Sequence, residues 1–143
     1  MEYIQHIRKT DLARNTHQII RDVQRGYTVL VENHGQPEAA ILDIVDYHIL
    51  LAVTAFYAHP VELEPDAGLN SERLSKLNSP QEIYDLVMTY YLADAISLGK
   101  TAELLDLPWL DLRTRFIRLD IPIKLGPEDE TEAGAEAEAA RKF

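Results

Sequence analysis

The residues of this chain best suited to chemistry are five histidines, two neighbouring aspartates and one Ser-x-Gly-Lys run. His6, His17, His34, His48 and His59 fall at no spacing that gathers metal ligands on one element, and there is no cysteine for a disulfide or a thiolate zinc site. Asp43 and Asp46 stand three residues apart at the front of an apolar run, where carboxylates cap a helix rather than share a proton. Ser97-Leu98-Gly99-Lys100 ends like a phosphate loop but lacks the upstream glycine that such a loop needs. The expectation is therefore a protein that is not an enzyme, with no catalytic residues, no metal site and no cofactor. Binding is the chemistry left to it.

The elements that would position binding residues follow from periodicity. Tyr3–Ile7 is a short run of strand formers. Thr10 or Asp11 can cap a helix in which Leu12, Thr16, Ile19, Ile20 and Val23 share one face, and Gly26 is a good stop. Arg14, Gln18, Arg21 and Arg25 repeat on the opposite side as a basic stripe, a pattern that equally describes a solvated helix face. Tyr27–Glu32 and Pro37–Ile44 are apolar runs flanking Asn33-His34-Gly35-Gln36, which predicts a hairpin with Gly35 at positive φ. Pro37 has no N–H and belongs at a strand start or sheet edge.

From about Ile44 to Ala58 a helix carries two apolar rows, Tyr47, Leu50, Leu51, Thr54 and Tyr57 on one and Ile49, Val53 and Phe56 on the other. Such a helix needs cover on two sides, from another chain or from the C-terminal half. Residues 61–79 read as a linker with a short helical turn near 71–77. Ser79-Pro80-Gln81-Glu82 is a strong helix start, followed by Ile83, Leu86, Val87, Tyr90 and Tyr91 as its buried face. Further helices fit 100–105 and 109–119, and 121–125 suits a short strand.

The net charge of −10 argues against nucleic acid as a whole-chain average, but the charge is unevenly placed. Residues 1–25 carry Arg8, Lys9, Arg14, Arg21 and Arg25 against three acids, whereas 127–143 carry six acids against Arg141 and Lys142. A locally basic front and an acidic tail fit a protein with two different partners; an ordinary acidic surface is the plainer explanation. No signal-like segment and no bilayer-length apolar run is present, so a cytoplasmic protein without a membrane partner is expected.

The order strand, helix, strand, turn, strand, helix resembles the Phd/YefM family of bacterial type II antitoxins. The likeness is carried by Ala13-Arg14-Asn15, Gly26, Val29-Leu30-Val31, His34-Gly35-Gln36-Pro37, Ala40-Ile41-Leu42 and Tyr47, and covers about residues 3–53. It implies a homodimer or higher oligomer built through sheet and helices. The first helix and the hairpin turn would then approach operator DNA. On the matching positions it assigns Arg14 to DNA, with Lys9, Thr10 and Asn15 beside it and Asn33 and His34 from the turn. A helix-start arginine suits a bidentate contact to guanine. Where the family's turn usually carries arginine this chain has Asn33, one charge fewer.

Residues 83–124 resemble a small uncharacterised prokaryotic family linked to antitoxins of PIN-domain ribonucleases. The likeness is carried by Ala95-Ile96-Ser97-Leu98-Gly99-Lys100-Thr101-Ala102-Glu103-Leu104-Leu105-Asp106-Leu107-Pro108 and the following Phe116, Leu119 and Ile121-Pro122. The centre of that pattern is a helix-turn-helix, with Ala102 at the helix crossing, Leu107 anchoring the turn, Asp106 where glycine is common and Pro108 in place of a capping serine. Its second helix would expose Asp111, Arg113, Thr114, Arg115 and Arg118. Trp109 and Phe116 either anchor a partner or fill the core, and Arg141 in the tail could enter an acidic ribonuclease site.

Together these readings give an α+β protein. Residues 1–60 form a β-α-β-β-α dimerising and DNA-binding domain, 61–79 a linker, 80–126 an all-α helix-turn-helix-like domain, and 127–143 a flexible acidic tail. The expected function is an antitoxin that binds a cognate toxin, a PIN-type ribonuclease, and represses its own operon as a dimer on double-stranded DNA. The alternative is a protein-interaction module that sequesters a partner without touching DNA.

Overall fold

The computed structural model describes residues 3–60, 63 and 69–124. Among them the chain is mixed α+β, with one three-stranded sheet and seven helices. It divides into two compact units, Met1–Tyr47 and His48–Phe143, so the division falls inside a helix rather than after residue 60. The acidic tail from 127 onward lies outside the described residues.

In the first unit, β1 (Ile4–Arg8) runs parallel to β2 (Thr28–Asn33), and β3 (Gln36–Ile41) returns antiparallel on the other side of β2. A parallel pair needs a crossover, which α1 (Lys9–Arg14) and α2 (Thr16–Gln24) supply. The register Gln5↔Val29↔Ile41 and Ile7↔Val31↔Ala39 puts alternate residues on one face. On that face Val29 forms the core with Ile19 and Val23 of the crossover, and Ile7, Leu12 and Ile41 pack around it.

The expected single helix is thus two. Asn15 leaves helical geometry at φ −121°, and the Thr16 hydroxyl bonds back to the Leu12 carbonyl at 2.7 Å. Asn and Thr both offer the backbone such alternatives to the helix ladder. Only Ile19 and Val23 of α2 are buried; Ile20, expected on the same face, is 45% exposed. Neither Thr10 nor Asp11 caps α1. Arg8 holds the cap position without a side-chain bond, and Asp11 in the first turn takes the Arg8 guanidinium at 3.1 Å.

Across the division runs α3 (Ile44–Ala58). The Asp43 carboxylate accepts from the Val45 N–H at 3.0 Å, the expected cap. Ile49 and Ala52 are buried with Val53 and Phe56 half-buried beside them, whereas Ile44, Tyr47, Leu50, Leu51 and Tyr57 stay exposed. One of the two apolar rows is therefore covered.

The second unit continues with α4 (Ser71–Ser75), α5 (Pro80–Leu92), α6 (Leu98–Leu104) and α7 (Trp109–Arg118). The stretch expected as linker is partly folded. Asn70 caps α4, Leu69 and Leu74 are buried, and the Arg73 guanidinium donates to Tyr90 Oη at 3.1 Å. At the start of α5 the Ser79 hydroxyl accepts from the Glu82 N–H, and the Glu82 carboxylate reaches back to the Asn78 N–H at 2.9 Å. His48 of α3 holds Gln81 of α5 through its ring nitrogen at 2.6 Å and stacks on Tyr84. The expected strand near 121–125 is absent among the described residues. Residues 121–124 are instead tied to α5 by Tyr91, whose hydroxyl donates to Pro122 O and accepts from the Lys124 N–H.

Helix ends share one device. After α2, α5, α6 and α7 the next-but-one residue (Gly26, Asp94, Asp106, Asp120) adopts positive φ. The residue after it then bonds back five positions: Tyr27 to Asp22, Ala95 to Tyr90, Leu107 to Ala102 and Ile121 to Phe116. These are Schellman turns, three of them built on aspartate. A left-handed conformation costs an L-residue about 1–2 kcal/mol, less for Asp than for most. Asp106→Gly is expected to hold or slightly raise the thermal midpoint of the full chain. Asp106→Val should lower stability by about 1–2 kcal/mol, because a β-branched side chain at positive φ is the worst case.

Candidate nucleic-acid interface

Two strand ends meet at one edge of the first unit. The parallel register sets Arg8 opposite Glu32, so Lys9 and Thr10 leave β1 beside the point where β2 enters its turn. Arg8, Lys9 and Thr10 on one side and Glu32, Asn33, His34 and Gly35 on the other line a depression of about 300 Å³. Four of the residues expected at DNA, Lys9, Thr10, Asn33 and His34, are thereby brought together.

Arg14 and Asn15 are not among the lining residues. Arg14 ends α1 instead of starting a helix, and the argument from a helix-start arginine does not apply to it. It is exposed, as are Arg21 and Arg25, and none of the three makes an ion pair with the described residues. All three are exposed cations of the first unit that lie outside the lining of the depression.

The turn is tight. Asn33 pairs with Gln36, and His34 and Gly35 both take positive φ, 53° and 77°. That is the geometry of a type I′ turn, whose twist matches the flanking strands. A Cβ added at Gly35 would meet nothing within 4 Å, so its restriction is one of backbone conformation alone.

Glu38 is the residue of this site that sequence reasoning missed. Val31 pairs with Ala39 but Glu32 pairs with Pro37, so Glu38 is the extra residue of a β-bulge. Lifted out of the ladder, its carboxylate accepts from Lys9 Nζ at 3.0 Å and from Asn33 Nδ2 at 3.2 Å. The Lys9 hydrogen bond first, then that of Asn33, then the Lys9 charge hold the Glu38 carboxyl below its usual range. The only signal in the sequence was Pro37, which cannot donate to the ladder and tolerates an irregular edge. Arg8 likewise holds Asp11, and His6 holds Glu32. Arg8 and Lys9, the two cations lining the depression, thus already face acids.

In the second unit the candidate partner-binding aromatics differ. Phe116 is fully buried with its ring centroid 5.1 Å from that of Tyr91, so it is a core residue and not a docking anchor. Trp109 is half-buried at the start of α7. Arg113 and Thr114 are exposed as expected; Asp111, Arg115 and Arg118 are half-buried, with Asp111 and Arg115 paired at 3.0 Å. Arg141 lies outside the described residues. Among those residues no group of three His, Asp or Glu side chains is placed to hold a metal ion, and no helix is long and apolar enough to cross a membrane.

Two outcomes test this geometry. His34→Asn creates the Asn-Gly pair that type I′ turns favour and should raise the thermal midpoint, while Gly35→Ala should cost about 1 kcal/mol through positive φ. The Glu38 contacts add stability that is present above the ordinary glutamate range near 4.3 and lost as pH falls through the lowered value. Glu38→Gln should therefore lower the urea midpoint slightly at neutral pH, leave the most acid end unchanged, and so flatten the slope between them.

Comparison with protein-family models, curated proteins and solved structures finds no match to this chain.

Proposed function

We propose that this protein is an antitoxin of a type II toxin–antitoxin system. It binds and neutralises a cognate toxin, a PIN-type ribonuclease, and represses its operon by binding operator DNA as a dimer. The observation that carries the DNA half is the gathering of Lys9, Thr10, Asn33 and His34 around one depression. The exposed Arg14, Arg21 and Arg25 of the same unit add cations able to meet phosphates.

The order β1-α1-α2-β2-β3 leading into α3 supports the Phd/YefM-like arrangement on which this reading depends. So does the exposed apolar row of α3. A unit of under 50 residues buries too little to be robust alone, and a second copy laid on Ile44, Tyr47 and Leu51 would supply the missing cover. The toxin half draws on the likeness of residues 83–124 to a small uncharacterised family linked to antitoxins of PIN-domain ribonucleases. It also draws on the α6–α7 pair, whose seven- and ten-residue helices suit a helix-turn-helix.

A second reading, a module that sequesters a protein partner without touching DNA, is favoured by one specific observation. Arg8 and Lys9 already hold Asp11 and Glu38, which lowers their worth to a phosphate.

Duplex binding measured across salt separates the two. Neutralising each phosphate should contribute about 0.9 to the slope of log affinity against log salt. Arg14→Ala is expected to weaken binding and reduce that slope by about 1 if Arg14 meets a phosphate, or to cost about 1–3 kcal/mol on the operator alone if it reads a base. Absence of salt-sensitive binding by the unmodified protein to its upstream DNA would leave the second reading standing. Coexpression with the neighbouring gene product should give a complex and relieve growth arrest; neither occurring would refute the toxin half.

A further inference from the structure

An acid bonded to two residues of the proposed nucleic-acid surface calls for an explanation, and the placement of Glu38 is built into the hairpin. The bulge takes it out of the β2–β3 ladder. Its two carboxylate oxygens are then divided between an ammonium and an amide, Lys9 Nζ on Oε2 and Asn33 Nδ2 on Oε1. Two donors converging on two oxygens of one anion is also how a phosphodiester would be held.

We propose that Glu38 is an internal competitor for backbone phosphate, occupying the anion position formed by Lys9 and Asn33 until a duplex displaces it. The proposal rests on the reading of this depression as a DNA contact and assigns the site a specificity device. With Glu38 in place Lys9 is neutralised in advance, so a duplex that touches only the backbone releases one counterion fewer and binds more weakly. A duplex whose other contacts are satisfied can displace the carboxylate. The Lys9 and Glu38 side chains are 62% and 44% exposed, and ion pairs of that exposure are weak enough to exchange. Non-specific binding is suppressed more than operator binding, which is discrimination by an added repulsive element.

Glu38→Gln keeps an acceptor for Asn33 and removes the charge. It should be compared with the unmodified protein, with Lys9→Ala, and with the double variant. The probes are a random-sequence duplex between about 50 and 200 mM salt and inorganic tripolyphosphate. Glu38→Gln should bind the random duplex about threefold to tenfold more tightly at the low-salt end, with a slope steeper by about 0.9. Tripolyphosphate should show a gain in the same direction, and both gains should disappear in the Lys9→Ala background. Equal gains with and without Lys9 would make Glu38 a general surface charge and overturn the proposal, as would no gain on either probe. A Lys9-dependent gain for tripolyphosphate, with no variant binding DNA, would keep Glu38 as a phosphate competitor while removing the DNA reading.

Discussion

The parallel pairing of β1 on β2 is the constraint from which the candidate interface follows. Parallel neighbours cannot be joined by a tight turn, so the chain between them must cross over, and α1 and α2 are that crossover. Burial of Ile19 and Val23 against Val29 fixes the crossover on one face of the sheet. The same register places the last residue of β1 opposite Glu32. Lys9 and Thr10 then have to emerge beside a turn 24 residues later in the sequence. Slipping the pairing by one residue would exchange Ile7 and Val29 for His6 and Leu30 on the core face and separate the two halves of the depression.

Hydrogen-bond economy explains how the second unit closes on a short sequence. Three of its helices, α4, α5 and α6, are capped at their starts by Asn70, Ser79 and Ser97, each accepting from an N–H three residues on. Three end on aspartate in a left-handed conformation, where the N–H groups that follow satisfy the terminal carbonyls. An acid beside a helix C-terminus opposes the helix dipole. At Asp94 this is offset by Lys124, whose ammonium bonds both the Leu92 carbonyl at 2.7 Å and the Asp94 carboxylate at 3.1 Å. That ammonium and the two hydrogen bonds of the Tyr91 hydroxyl hold residues 122–124 in place without a strand.

Much of this architecture was legible from local signals. The hairpin was visible because Asn-x-Gly between apolar runs has few other solutions, and α5 because Ser-Pro-x-Glu satisfies several helix-start requirements at once. The break at Asn15 was not visible. The apolar spacing from Leu12 to Val23 fits one continuous helix, and only packing shows that Ile20 falls off the buried face. Asp94 and Asp120 escaped notice as stops because aspartate is a far weaker turn signal than glycine. At the site, the family resemblance pointed to Lys9, Thr10, Asn33 and His34. Glu38 could not be found that way: its role depends on which strand residue lacks a partner, a property of two strands together.

Charge at the interface has a consequence that net charge conceals. The chain as a whole is acidic at −10, and even at its locally basic edge Arg8 is paired with Asp11 and Lys9 with Glu38. Long-range attraction to a polyanion is therefore weak, since a paired cation contributes little field beyond the Debye length of about 8 Å at physiological salt. Recognition by such a surface has to depend on contacts made after encounter rather than on electrostatic capture. On the proposed DNA reading, Arg14, Arg21 and Arg25, which make no ion pairs among the described residues, supply what steering there is, and the paired groups decide whether the encounter becomes a complex.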